Sequence, residues 1–160
     1  MRFEEPDDIN GVAQFHRLFK LPVLNKPLIP SQERINLRIS LLEEELNELK
    51  SAIEDNNMVE VADAFADLQY VLSGAILEFG LGECFREIFD EVQRSNMSKT
   101  CKTMNEAIKT GDYYLENRGI ESYIESSENE YLVYRKGDGK VLKSVNYSPP
   151  DIEGVLKKYL

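Results

Sequence analysis

Two short stretches decide the reading of this chain: Glu44-Glu45-Leu46-Asn47-Glu48 and, after an eleven-residue spacer, Glu60-Val61-Ala62-Asp63, with Asp67 one turn further on. At about 100° per residue, Glu45 and Glu48 fall within about 60° of each other on a helix, and Glu60, Asp63 and Asp67 within about 60° in total. A short connection around Asn56-Asn57 folds the two helices antiparallel, so that the acidic stripes can face each other. Converging carboxylates repel unless a hard cation sits between them, and oxygen-only ligands suit Mg²⁺, with Mn²⁺ a possible substitute. The competing reading is a solvated acidic face. The sequence around the second cluster argues against it: Val59 to Phe79 is apolar on nearly every side, which predicts the central helix of a bundle.

Bulk properties narrow the function classes. With 160 residues, 42% of them hydrophobic, the expectation is a single domain over 1–160 with a helical core at about 7–118. A net charge of −10 argues against a nucleic-acid polymer or an anionic membrane as partner. It leaves room for a phosphorylated small molecule if metal reverses the local field. No apolar run reaches the roughly 20 residues of a membrane span, and Met1 to Pro6 contains no apolar signal core. Cys84 and Cys101 make neither a disulfide framework nor a zinc site, so a cytoplasmic location is expected.

Along the chain, Asp7 or Asp8 opens a first helix to about Phe19, with Val12, Phe15, Leu18 and Phe19 expected on one side. Three prolines between Leu21 and Pro30 predict an extended connection. Ser31 then caps a second helix with apolar residues at 35, 39, 42, 46, 49 and 53, the spacing of a bundle seam. Glu45 and Glu48 share the adjacent stripe with Leu41 and Ala52. Gly80-Leu81-Gly82 ends the third helix, and a fourth is expected over about Glu83–Ser95, with Phe85, Ile88, Phe89 and Val92 as its apolar face. A further helix is expected from Met104 to Leu115, and a hairpin around Gly137-Asp138-Gly139 pairing 130–136 with 140–145. Pro150 and Asp151 open a short terminal helix to Leu160. The predicted class is therefore all-α: an antiparallel bundle of four to five helices, with a small C-terminal hairpin and terminal helix over about 120–160.

With these clusters in place, the chain resembles the all-α nucleoside triphosphate pyrophosphohydrolases, the MazG-like and phosphoribosyl-ATP pyrophosphohydrolase-like proteins. Their signature is Glu-Glu-x-x-Glu followed by Glu-x-x-Asp on the next helix. Arg38-Ile39-Ser40-Leu41-Leu42, Ala66-Asp67-Leu68-Gln69-Tyr70-Val71, Glu91 to Lys99, Asp138 to Lys143 and Asn146-Tyr147 extend the likeness. Roughly thirty extra residues, about 102–131, separate the last two similar segments from the rest.

The resemblance implies hydrolysis of a nucleoside triphosphate, a dNTP the expected substrate, between the α and β phosphates. It implies that Glu45, Glu48, Glu60 and Asp63 ligate Mg²⁺. Asp67 is then a further ligand or a partner of one. Glu44 serves a second metal or acts as the general base. Arg94, Asn96, Lys99, Lys140, Lys143 and Tyr147 become candidates for holding phosphates or base, and the apolar third helix for a homodimer interface. Three rival readings stand beside this one. One is a phosphoribosyl-ATP pyrophosphohydrolase, and one a non-catalytic helical interaction protein. The third, a carboxylate-bridged di-iron bundle, is opposed by a sole histidine, His16, that fits no Glu-x-x-His pattern and reads best as a packed or surface residue.

Overall fold

The computed structural model describes residues 3–160. They form α1 (Asp8–Leu18), α2 (Gln32–Glu54), α3 (Met58–Glu78), α4 (Phe85–Met97), α5 (Met104–Arg118), β1 (Ser122–Ser127), β2 (Glu130–Arg135) and α6 (Ile152–Leu156). The molecule is mostly helical with one small two-stranded antiparallel sheet, as the sequence predicts. The chain divides into two compact units, residues 1–85 with 156–160, and residues 86–155.

In the first unit α3 packs against both α2 and α1. Alanines at 62, 64 and 66 favour its helical start, and Asn57 caps it by accepting from the backbone N–H groups of Val59 (3.2 Å) and Glu60 (3.4 Å). Asn56 takes the left-handed conformation (φ 52°) that a tight reversal between α2 and α3 requires. At the other end of α3, Gly80 has φ 67°, and a Cβ there would lie 1.9 Å from the Lys26 carbonyl oxygen. The proline-containing segment runs past this end without regular secondary structure and bends at residues 25–26. Leu24 and Leu28 donate backbone bonds to the carbonyls of Leu77 (3.0 Å) and Phe79 (3.1 Å), which closes off the last turn of α3.

The buried face of α1 is Val12, Ala13 and His16, with Ile9 packed alongside. Phe15, Leu18 and Phe19, expected to face inward, are exposed. The rotation follows from α3, whose small residues Ser73 and Gly74 accept the narrow side of α1 more closely than a row of phenylalanines. The apolar seam of α2 is also only partly covered: Leu49 is buried, while Ile39, Leu46 and Ile53 are exposed. α3 is buried only over 73–78 beyond Ala64. On α4, Ser95 is the buried residue, and Phe89 and Val92 face outward.

In the second unit, Cys101, Ala107, Tyr114, Val133 and Leu142 form a core, flanked by Ile120, Ile124 and Tyr131. The hairpin expected around Gly137–Gly139 is displaced. β2 pairs with β1 through six residues, from Ser122 opposite Arg135 to Ser127 opposite Glu130, and the reversal falls at Glu128, whose φ is 50°. Beyond β1, β2 makes two isolated bridges, Tyr131 with Cys101 and Tyr134 with Val141, and only the second involves the expected partner segment. Ile124 packing on the core outweighed the stronger turn signature downstream. α6 ends at Leu156, short of the expected Leu160.

Replacing Gly80 by alanine forces a Cβ into backbone and into a disfavoured φ, so a loss of about 2–5 kcal/mol is expected in urea unfolding. Gly11→Ala, on α1 with nothing within 4 Å of the added carbon, is expected to gain about 0.5–1 kcal/mol instead.

Candidate active site

Packing of α2 on α3 places Glu44, Glu48, Glu60 and Asp63 around one groove of about 510 Å³, floored by Ala52 and Ala64 and edged by Asn47 and Asn57. Glu45 is half-buried one position round the same helix. Burial first, then the charges of Asp67, Glu48, Glu44 and Asp63, push its carboxyl above the ordinary value. All six acids singled out in the sequence thus act on one another or on one groove. Among the described residues none of them forms an ion pair, and no three His, Cys, Asp or Glu side chains are grouped so as to hold a metal ion. Like charges on facing helices repel, which keeps the carboxylates apart. By donor chemistry the set fits a hard divalent cation: it is oxygen only, anionic and without a basic partner.

Further along the same two stripes the charge is balanced. Glu78, eighteen residues beyond Glu60 and therefore back on its face, is 1% exposed. It accepts from Arg34 Nε (2.9 Å), from Arg34 Nη2 and from Arg38 Nη2. Burial pushes the Glu78 carboxyl up; the bonds and charges of the two arginines outweigh that and hold it below the ordinary value. Arg38 Nη2 also donates to His16 Nε2 (3.1 Å), while His16 Nδ1 faces the Pro22 carbonyl (2.8 Å). Arginine has no acceptor, so Nε2 must accept and Nδ1 must carry the proton. His16 is a packed, neutral histidine. A Cβ on Gly74 would sit 2.7 Å from Arg38 Nη1, so the bare glycine is what admits the guanidinium. The sequence reading missed this network, though its signal is present: continuing each acidic stripe by whole helical turns reaches Arg38 and Arg34 on α2 and Glu78 on α3.

The remaining candidates lie in the second unit. Lys99 Nζ donates to Asn96 Oδ1 (2.7 Å), Lys143 Nζ stands 4.3 Å from the Tyr147 ring centroid, and Tyr147 shares a hydrogen bond with Ser95 (2.9 Å). The Ser95 bond, then the ammonium groups of Lys143 and Lys99, lower the Tyr147 hydroxyl's pKa. Arg94 makes a two-point pair with Glu91 (2.8 and 2.8 Å) and donates to the Pro149 carbonyl (3.0 Å). Glu91 also accepts from the Asp151 N–H and is held down to about 2. That places Arg94 in the attachment of the C-terminal segment to α4. Lys140 is exposed beside the turn at 137–139.

The family model for phosphoribosyl-ATP pyrophosphohydrolase matches residues 12–96, which include both acidic motifs and just over half of the chain. The chain belongs to that family. Its members fall within the MazG-like all-α nucleoside triphosphate pyrophosphohydrolases, and the family character is nucleotide pyrophosphohydrolysis. The chain is also 22% identical to an uncharacterized protein of Acanthamoeba polyphaga mimivirus, over 96% of this chain and 97% of that protein. No helix among the described residues is long and apolar enough to cross a membrane.

An acidic groove built this way carries a stability cost that can be read by titration. Glu45 has a raised folded pKa, so its penalty on folding is complete above that value, shrinks as pH falls through it, and is gone below the ordinary carboxylate value of about 4.3. Glu78 has the reverse sign: its contribution is complete above about 4.3 and is lost as pH falls through its lowered folded pKa. Glu45→Gln is therefore expected to raise the urea midpoint at pH 7, with the gain disappearing near pH 4. A variant no more stable than the parent at pH 7 would contradict the electrostatic reading.

Proposed function

We propose that this chain hydrolyses a nucleoside triphosphate, with dNTPs as the substrate class, between the α and β phosphates, releasing a monophosphate and pyrophosphate. The observation that carries the reading is the groove: Glu44, Glu48, Glu60 and Asp63 line one cavity, with Glu45 and Asp67 coupled to them, inside the segment the family model matches. Glu45, Glu48, Glu60, Asp63 and Asp67 are the residues that would hold Mg²⁺, or Mn²⁺ in its place. Such a cation would offset the anionic charge of the polyphosphate and polarise its oxygens.

The protein's own part is positioning. Glu44 opens onto the groove from the motif's first position and is the group we assign to take a proton from the attacking water. Its placement matters more than its basicity, because a carboxylate beside cations stays a weak base. Asn47 and Asn57, on the groove's edge, offer neutral donors and acceptors to sugar or phosphate. In the second unit, Lys99 and Lys143 carry the fixed positive charge a polyphosphate calls for, with Asn96 and Tyr147 beside them. Lys140 and Arg94 are the weaker candidates, Arg94 because its guanidinium already holds Glu91. The exposed apolar residues Ile39, Leu46 and Ile53 on α2 and Val59 and Phe65 on α3 support a homodimer.

Glu48→Gln and Asp63→Asn are each expected to weaken Mn²⁺ binding in calorimetry and to lower pyrophosphate release by about 100-fold or more, across a panel of dNTPs and phosphoribosyl-ATP. Parental turnover in either variant would remove the assignment. Preference for phosphoribosyl-ATP over every dNTP would correct the substrate.

A further inference from the structure

The two-stranded sheet of the second unit has one occupied edge and one open edge. The Lys136 N–H donates to the Glu121 carbonyl (3.0 Å), which sets the phase of the ladder. Tyr123, Glu125 and Ser127 therefore bond to β2, and Ser122, Ile124 and Ser126 turn their N–H and C=O groups outward. On its far side β2 is occupied. Tyr131 exchanges bonds with Cys101 (2.8 and 2.8 Å), the Val133 carbonyl accepts from Leu142 (2.8 Å), and the Arg135 N–H donates to the Lys140 carbonyl (2.9 Å). Among the described residues, no backbone bond outside the strand pair reaches Ser122, Ile124 or Ser126. Proline, lysine or a bulge commonly blunts such an edge, and β1, Ser-Tyr-Ile-Glu-Ser-Ser in unbroken register, has none of the three.

Beside this edge runs a groove of about 500 Å³ between β1 and α5. Ile108, Gly111, Asp112 and Leu115 line it from one stripe of α5, and Ile108 and Leu115 are exposed. A Cβ on Gly111 would lie 3.0 Å from Ser122 Oγ, so the glycine lets β1 lie close against the helix. An open strand edge next to an apolar helix stripe is an arrangement that takes up an added strand.

We propose that the added strand is β1 of a second copy of this chain, paired antiparallel about a two-fold axis at Ile124. Charge selects both the occupant and the register. With Ile124 opposite itself, Ser122 meets Ser126 of the second copy and Tyr123 meets Glu125 of the second copy, so no like charges stand directly opposite. Centring the pair on Tyr123 would set Glu121 against Glu125, and centring it on Glu125 would set that carboxylate against itself. In the Ile124 register the outward groups of all three residues find partners, and the two sheets become one. The α5 stripes flank the joint with the apolar surface that so short an edge lacks.

The test mixes two full-length variants, Ser122→Cys and Ser126→Cys, at micromolar concentration under mild oxidation. Facing Cα atoms in this register lie about 5.5 Å apart, within disulfide reach, whereas each new cysteine stands about 14 Å from its own counterpart. Cys84 and Cys101 are buried, so the parent chain serves as the silent control. A crosslinked dimer is expected in the mixture and in neither variant alone. The crosslink reports this edge specifically, so pairing through α2 and α3 does not imitate it. Ser126→Pro removes an outward N–H and leaves the ladder between β1 and β2 in place. It is expected to weaken self-association at least tenfold in sedimentation equilibrium, its circular dichroism matching the parent. No crosslink in the mixture would overturn the proposal and leave the edge to a strand of another protein. A crosslink in Ser126→Cys alone, or unchanged self-association in Ser126→Pro, would overturn it as well.

Discussion

Everything in the first unit depends on how charge is distributed along the contact between α2 and α3. Both helices carry ionised side chains down the stripe by which they meet. At one end these are carboxylates with no cation among the described side chains; at the other, Glu78 is clasped by Arg34 and Arg38. Glu60 and Glu78 are separated by about 27 Å of helical rise, well beyond the Debye length of about 8 Å at physiological salt. The two ends are therefore electrostatically separate. Removing one member of a buried, hydrogen-bonded pair costs about 3–5 kcal/mol, because the other charge is left stranded. That is more than the few tenths of a kcal/mol that each like-charge neighbour costs on an exposed helix face. The balanced end can hold the hairpin together while the unbalanced end stays anionic.

How much of this was legible in the sequence differs element by element. The acidic stripes were, because helical periodicity is a property of spacing alone and Glu44 to Asp67 needs only two helices and a turn to converge. The helices themselves lie within a few residues of their expected bounds, since Asn57 and Gly80 mark ends by local chemistry. The inward faces of α1 and α4 were not. Phe15, Leu18, Phe19 and Phe89 are apolar at helical spacing, yet the structure buries Val12, Ala13 and His16 on α1 and Ser95 on α4, because the partner surface decides which side fits. The hairpin failed for a related reason. Gly137-Asp138-Gly139 does turn, and Arg135 pairs there with Asp138, but strand partners are chosen by packing. Ser122–Ser127 packs Ile124 on the second core, whereas Lys140–Val145 leaves the sheet after Val141.

The extra segment at about 102–131 is a structural part of the second unit. It contributes α5 and β1, and with them Ala107 and Tyr114 of a core completed by Cys101, Val133 and Leu142. Thr110 makes the same point in polar form. It is fully buried, donates to the Glu106 carbonyl (2.8 Å) and accepts from the Val145 N–H (3.1 Å), tying α5 to the segment carrying Lys143 and Tyr147. Tyr114 adds its hydroxyl as acceptor for the Lys143 N–H (3.3 Å). The insertion thus fixes the backbone that bears two of the proposed phosphate-binding residues, which a flexible loop of the same length would not do.

The anionic groove and the balanced ion cluster also explain why the site sits on helices at all. A group of carboxylates that must stay close without a fixed cation needs a scaffold that does not relax away from the repulsion. Side chains three and four residues apart on a rigid helix are held about 5–6 Å from one another whatever their charge. Glu44, Glu48, Glu60, Asp63 and Asp67 are exposed, so water screens most of what they cost; Glu45 is half-buried, and burial pushes its carboxyl upward. The penalty of gathering the acids is concentrated on the one that faces the helix contact. A protein that solvated all six acids would fold more comfortably, and one that buried two or three would need a stronger clasp than Arg34, Arg38 and Glu78 provide.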